Sequence, residues 1–167
     1  MASRETSTLA TVETITIRAL EHGDIPAVAA LLHHLARNSI TTEFSSAAAD
    51  KFFRANDVGA LAAFVASGFK YHVAESGGLI VGFVGVKENA HLYHLFVAEA
   101  QQRKGLARRL WGVAKGVCYA AGNAGRFTVN SSNNAIPIYE SFGFSRTAPT
   151  QTSEGVLYNP MALVENI

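Results

Sequence analysis

Gln101-Gln-Arg-Lys-Gly-Leu-Ala107 is a basic, glycine-containing segment that lies between an apolar run and a helical pattern. The apolar run at residues 92–97 and a short turn precede it. Residues 105–121 follow, with leucine, valine and alanine side chains at helical spacing, and Gly122 closes the pattern. This order predicts a strand, a loop and a helix in succession at the centre of the chain.

The loop of this unit has the chemistry of an anion site. A helix N-terminus presents unpaired amides and the positive end of the helix dipole. Gly105 allows close backbone approach, and Arg103, Lys104 and Arg108 add positive charge. A pyrophosphate would fit such a loop, although an ordinary solvated first turn explains the segment equally well when it is considered alone. The sequence has no G-x-G-x-x-G after its first strand and no G-x-x-x-x-G-K-[ST], which disfavours dinucleotide-binding and P-loop folds.

Outside this unit, hydrophobic periodicity predicts an α/β fold with a mixed sheet. One or two helices fit residues 45–67, and Pro160 predicts an edge or a bulge in the last strand. Strands are predicted at residues 14–20, 71–74, 79–86, 90–97, 126–129 and 156–163, and further helices at residues 24–38, 105–121 and 135–142.

Length and composition predict a flexible leader at residues 1–12 and a single domain at residues 13–167. Fourteen Lys and Arg against thirteen Asp and Glu give a formal net charge of +1, so no nucleic-acid or membrane partner is expected. Cys118 is the single cysteine, and no Cys/His spacing predicts a metal site. Without a signal-like or membrane-spanning run, the expected location is the cytoplasm.

Two motifs resemble those of one known family. Gln102-Arg-Lys-Gly-Leu-Ala107 is similar to the acyl-CoA signature [Q/R]-x-x-G-x-[G/A] of the GNAT superfamily of N-acetyltransferases. Downstream, Ala135, Tyr139 and Gly143-Phe144 recur as in the second signature of that superfamily. Two motifs in the right order make chance agreement improbable.

The resemblance implies a GNAT-type mixed, splayed central sheet flanked by helices, with acetyl-CoA in the gap between two strands. It also implies that one strand pairs with the pantetheine arm like an added strand and that the following loop holds the pyrophosphate. The cofactor-binding residues carried over are Leu95, Phe96 and Val97 from the strand, Gln102, Arg103, Lys104, Gly105, Leu106, Ala107 and Arg108 from the loop and helix, and Asn130, Ser132 and Asn134 near the acetyl end.

The resemblance also assigns the proton transfers. Tyr139 resembles the general acid that returns a proton to the leaving CoA sulfur. Arylalkylamine acetyltransferases carry a histidine, and histone-acetylating members a glutamate, at the position that matches His91, which makes His91 the favoured base. Strand alternation predicts His91 and Tyr93 on one face and His94 on the other. The alternatives are His94 as base, a water chain, or a relay through Tyr93.

The predicted reaction is direct transfer of acetyl from acetyl-CoA to the primary amine of a small molecule or peptide in a ternary complex. Other readings remain open: a longer acyl group, a hydroxyl acceptor, or a sensor that binds acyl-CoA without turnover. Residues 40–44 and 150–158 are expected to line the acceptor pocket. A homodimer is possible.

Overall fold

The computed structural model describes residues 13–167, and the predicted leader at residues 1–12 lies outside the described residues. The strands are β1 (Thr16–Ala19), β2 (Lys70–Ser76), β3 (Leu79–Lys87), β4 (His91–Val97), β5 (Arg126–Ser131), β6 (Ser145–Arg146), β7 (Gln151–Ser153) and β8 (Val156–Val164). The helices are α1 (Ile25–Ser39), α2 (Ser46–Arg54), α3 (Val58–Ala66), α4 (Leu106–Ala120) and α5 (Ile136–Ser141).

The strands form one mixed sheet in the order β1-β2-β3-β4-β5-β8-β6, with β7 paired to β8. β4 and β5 run parallel, because α4 connects them across one face of the sheet. The other neighbouring pairs are antiparallel. The predicted α/β class with a mixed sheet is therefore confirmed.

Two apolar cores cover the two faces of the sheet. The α4-side core contains Val84, Leu92, Leu110 and Phe127. The α1-side core packs α1 and α3 against the opposite face and contains, among others, Phe83. Neighbouring residues of β3 thus enter different cores, as strand alternation requires.

Residues 45–67 form two helices, which periodicity alone left open. Ser45 and Asp57 are the two N-caps, and their side chains accept hydrogen bonds from the amides of Ala48 and Ala60 at 3.2 and 2.8 Å. Two separate caps explain why the apolar pattern is interrupted at this point.

Pro160 was predicted to mark an edge or a bulge in the last strand; β8 is an inner strand of the sheet, and its pairing on one side is interrupted at this residue. β8 pairs with β5 along one side and with β6 and then β7 along the other. Pro160 lies where β6 has ended and β7 has not begun, and its carbonyl accepts a hydrogen bond from the Thr147 amide at 3.0 Å. A proline fits inside this strand because no ladder bond is required of its nitrogen there.

Within residues 13–167, no helix combines the length and the hydropathy needed to cross a membrane.

Candidate functional site

The central feature of the site is an opening between β4 and β5. Only two residue pairs join these strands, His91 with Thr128 and Leu92 with Val129. From Tyr93 onwards, no described residue pairs with β4 on its β5 side, while the end of β5 turns to β8. The predicted splayed sheet is confirmed, and residues 93–97 present a free strand edge to the gap.

A β-bulge at Tyr93 changes which side chains share a face. His94 pairs with Gly85 and Leu92 pairs with Val86, so Tyr93 is the extra residue on β4. Consequently both Leu92 and the later Leu95 contact the α4-side core.

The prediction that His91 and His94 lie on opposite faces is therefore wrong. His91 pairs with Thr128, which alternates along β5 with residues of the α4-side core and so points to the other face. His94 packs against Phe83 of the α1-side core. Tyr93 lies between the two histidines, with ring centroids 6.4 Å from His91 and 4.5 Å from His94.

His91 is half-buried beside the opening and has one hydrogen-bonded ring nitrogen. Its Nδ1 lies 2.7 Å from Thr128 Oγ1, and its Nε2 has no hydrogen-bond partner among the described residues. Burial lowers the pKa of His91, Lys87 lowers it further, and Glu88 acts in the opposite direction. The imidazole is consequently neutral near pH 7 and able to accept a proton.

His94 has both ring nitrogens bound inside the protein. Asn56 Nδ2 donates to the Phe52 carbonyl, which leaves Asn56 Oδ1 to accept from His94 Nε2 at 2.9 Å. The Tyr71 hydroxyl then donates to His94 Nδ1 at 2.9 Å. Burial lowers the pKa of His94 to about 3, so this histidine is a neutral core residue rather than an accessible base.

The three predicted strand residues occupy different environments. Leu95 is half-buried beside the α4-side core. Phe96 lies on the other face and stacks on Phe83, with ring centroids 5.3 Å apart. Val97 is buried at the end of β4, and its carbonyl accepts a hydrogen bond from Gln102 Nε2 at 2.9 Å. The Gln102 side chain thus anchors the loop to the end of the strand.

The loop before α4 has an unusual backbone. Arg103 has a φ of 61° and Gly105, the N-cap of α4, a φ of 82°. A Cβ at Gly105 would meet no atom within 4 Å, so glycine is needed there for its conformation rather than for space inside the protein.

The loop also offers an unsatisfied set of donors. None of the amides of residues 103–108 has a hydrogen-bond partner within residues 13–167. Arg103 and Lys104 are exposed and form no ion pair with any described residue. Leu106 is buried and Ala107 packs against the α4-side core, which holds the helix start in place. The loop can therefore surround an anion with backbone N–H groups.

Arg108 is directed towards α5. Its Nη2 donates to the Ser141 carbonyl at 3.2 Å, and its guanidinium carbon lies 5.1 Å from the centroid of Phe142. This contact ties the first turn of α4 to the helix that carries Tyr139.

Tyr139 belongs to the α4-side core and so lies on the face opposite His91. Its ring packs against Phe142 and Phe144, with centroids 6.3 and 5.8 Å away. Its hydroxyl has no hydrogen-bond partner among the described residues, and burial raises its pKa well above the usual value. The phenol therefore keeps its proton at neutral pH.

The polar residues at the end of β5 and just after it divide into two groups. Asn130 is exposed where β5 leaves β4, and Ser132 is half-buried; neither side chain forms a hydrogen bond with another described residue. Asn134 instead donates to the Ser39 carbonyl at 2.8 Å, and Asn133 donates to Glu43 Oε2 at 2.8 Å. Asn134 is thus engaged with the end of α1.

Asn159 is a structural residue of this region that the sequence analysis missed. It is completely buried in β8, where its Nδ2 donates to the Ser131 carbonyl and to Asn133 Oδ1 at 3.1 and 2.8 Å. Its Oδ1 accepts from Arg146 and Thr150 at 2.7 and 2.8 Å. A polar residue beside Pro160 inside an apolar strand was the available signal.

The chain is similar to known proteins in sequence and in fold. A family model described as an acetyltransferase (GNAT) domain matches residues 40–165. No curated protein sequence matches the chain significantly.

Solved structures with the same fold include three with informative descriptions. A PaiA N-acetyltransferase from Thermoplasma acidophilum in complex with coenzyme A has a TM-score of 0.75 at 15% identity, covering 91% of this chain and 99% of that one. A putative acetyltransferase from Salmonella typhimurium with its cofactor acetyl-CoA has a TM-score of 0.65 at 19% identity, covering 90% and 94%. The ribosomal-protein-S18-alanine N-acetyltransferase from Escherichia coli has a TM-score of 0.64 at 22% identity, covering 92% and 96%.

Proposed function

The chain belongs to the GNAT acetyltransferase family, and on this premise we propose that it transfers an acetyl group from acetyl-CoA to the primary amine of a small molecule or peptide. Two of the similar structures are described with coenzyme A or acetyl-CoA, which supports the donor. A third is described as acting on the alanine of a ribosomal protein, which supports an amine acceptor.

The observation that carries the proposal is the opening between β4 and β5 together with the amide loop at its end. The free edge at residues 93–97 can pair with the amides of a pantetheine arm, and the unpartnered amides of residues 103–108 can hold a pyrophosphate. The loop fits a pyrophosphate. Its backbone is open at Gly105, Gln102 anchors it to β4, and the side chains of Arg103 and Lys104 supply positive charge. When bound, acetyl-CoA supplies the acetyl group as a thioester.

His91 is proposed to accept the proton of the acceptor amine at Nε2. A lysine-like amine has a pKa of about 10.4, so only a small fraction is neutral near pH 7. His91 is neutral in that range, and Nε2 has no hydrogen-bond partner among the described residues. The engagement of both His94 nitrogens supports His91 over His94.

Tyr139 is proposed to donate its hydroxyl proton to the CoA sulfur. Its raised pKa keeps it protonated, as a general acid must be. His91 and Tyr139 lie on opposite faces of the sheet. In the proposed reaction the amine is therefore served from one face and the leaving sulfur from the other.

The acceptor is proposed to enter between residues 40–44 and 150–158. Contacts across this region support that placement: Glu43 accepts from Asn133, and Lys51 of α2 pairs with Glu154 of the β7–β8 turn. Both contacts bring the α1–α2 segment close to the end of β5 and to β8.

A panel of amines, including peptide N-termini, lysines and small amines, tests the proposal. Purified protein with acetyl-CoA should release CoA at a rate that depends on one class of amine. Tight binding of acetyl-CoA, measured by calorimetry, without amine-dependent CoA release would contradict the proposal and favour a binding protein.

A further inference from the structure

The hydroxyl of Thr128 lies 2.7 Å from His91 Nδ1, on the strand that faces β4. We propose that Thr128 is a positioning residue for the reaction: its Oγ1 accepts a hydrogen bond from Nδ1–H, so that His91 Nε2 carries the lone pair that takes the proton of the acceptor amine. This inference rests on the proposed function, because it assigns the protonation state in which His91 acts.

The contact is built into the sheet. His91 and Thr128 form one of the two registered pairs that join β4 to β5, and the Thr128 amide donates to the Ala90 carbonyl at 3.0 Å. Registered residues of neighbouring strands point to the same face. The ladder therefore fixes the distance between the two side chains at the point where the sheet begins to open.

The chemistry of imidazole makes this contact decide the tautomer. A neutral histidine has one N–H and one lone pair, and the bond made by one nitrogen sets the role of the other. If Thr128 donated to Nδ1, Nε2 would carry the hydrogen and His91 could not act as a base. When Thr128 Oγ1 accepts the hydrogen bond from His91, the Thr128 hydroxyl hydrogen can be donated to water, because Thr128 is exposed.

The hydrogen bond from His91 Nδ1–H to Thr128 Oγ1 also persists after the proton transfer. Both nitrogens of an imidazolium donate, so only an acceptor at Nδ1 is compatible with His91 before and after it takes the proton. Thr128 is uncharged. A carboxylate in its place would raise the pKa of His91, and the imidazolium would then release its proton to water less readily after the reaction. Lys87 and Glu88 are the charged neighbours that act on this ring.

Thr128→Val removes the hydroxyl at nearly constant volume, and Thr128→Ser retains it as the matched control. Ring-nitrogen NMR of the full-length protein, at a pH where His91 is neutral, should find the Nδ1–H tautomer in the wild type and in Thr128→Ser. Thr128→Val should lose this preference. Its kcat should fall about tenfold, the effect expected of one orienting hydrogen bond, with the KM for acetyl-CoA unchanged.

Any of three results would overturn the inference: an Nε2–H tautomer in the wild type, an unchanged tautomer in Thr128→Val, or an unchanged kcat in that variant. In a His91→Ala background, Thr128→Val should have no further effect on kcat, and an additional tenfold loss there would equally overturn it. Absence of any acetyl transfer by the wild type would instead contradict the proposed function. The NMR readout separates the two failures because it requires no turnover.

Discussion

Burial acts on the two proposed proton-transfer residues in directions that suit opposite roles. It lowers the pKa of His91, which keeps the imidazole neutral near pH 7, and raises the pKa of Tyr139, which keeps the phenol protonated. A base must be free of its proton and an acid must hold one, so the same physical effect serves both.

Tyr139→Phe should lower kcat about a hundredfold, the smaller end of what a general acid contributes, while the KM for acetyl-CoA changes little. Folding should be unaffected, because the ring contacts with Phe142 and Phe144 remain and the hydroxyl has no hydrogen-bond partner among the described residues. Steady-state kinetics measure this. Tyr119→Phe, at the far end of α4, is the matched control and should keep its activity. Equal kcat in Tyr139→Phe and the wild type would remove Tyr139 from the chemistry.

Lys87→Met should move the low-pH limb of the kcat/KM profile to higher pH. Lys87 lowers the pKa of His91, so its removal lets that pKa rise, and activity that needs neutral His91 is then lost at a higher pH. Met preserves packing against the Tyr93 ring, which lies 5.4 Å from Lys87 Nζ. Glu88→Gln should move the limb in the opposite direction. If the low-pH limb stays at the same pH in both variants, His91 is not the titrating base.

The bulge on β4 and the loop before α4 are the elements that build the site, and they differ in how far the sequence predicts them. Gly105 at the helix start and the basic residues around it predicted the loop, because a positive φ and unpaired helix amides follow from local chemistry. The bulge at Tyr93 arises from the pairing of β4 with β3, which alternation within β4 does not reveal. For this reason the faces of His91 and His94 were predicted incorrectly.

Gly105→Ala should weaken acetyl-CoA binding and lower the free energy of unfolding by about 1 kcal/mol, because the positive φ strains a side-chain-bearing residue. Gly116→Ala is the matched control inside α4, where an added Cβ also meets no atom within 4 Å. It should raise the free energy of unfolding by about 1 kcal/mol and leave binding unchanged. Calorimetry and denaturant titration check both. Unchanged acetyl-CoA affinity in Gly105→Ala would contradict the role of the loop.

Across the molecule, polar contacts join segments that are distant in sequence. Asn56, which follows α2, binds His94; Asn134 binds Ser39 at the end of α1, and Asn133 binds Glu43 in the segment that follows α1. The order of the longer elements could be predicted, since it follows from local periodicity, whereas the short strands β6 and β7 were not predicted. These polar contacts could not be predicted either, because they depend on residues far apart in the chain that only the complete fold brings together.

His94 should make the whole protein less stable as the pH falls. Its pKa is about 3 in the fold, below the ordinary value near about 6.5, so below that value the unfolded chain binds a proton that the folded protein does not. The free energy of unfolding should fall by at most about 1.4 kcal/mol per pH unit from this residue. Asp24 and Glu165, whose pKa values are lowered by their partners, lose their contribution only below about pH 4.5.

Denaturant titrations between about pH 6.5 and 4.5 measure this dependence, to which His72 and His91 also contribute because burial lowers their pKa values too; the contribution of His94 is the difference between a His94 variant and the wild type. His94→Gln, whose amide can accept from Tyr71 and donate to Asn56, should show a weaker dependence on pH than the wild type. The same slope in His94→Gln and the wild type would contradict the buried, neutral His94.

The most direct test of acetyl transfer at the opening between β4 and β5 follows the acetyl group itself. The full chain is incubated with acetyl-CoA carrying an isotopic label in the acetyl group and with the amine that gives the fastest CoA release, and the products are examined by mass spectrometry. The label should appear on the amine nitrogen in an amount equal to the CoA released. Label found in free acetate, on a hydroxyl, or still in acetyl-CoA would contradict the proposed transfer to an amine.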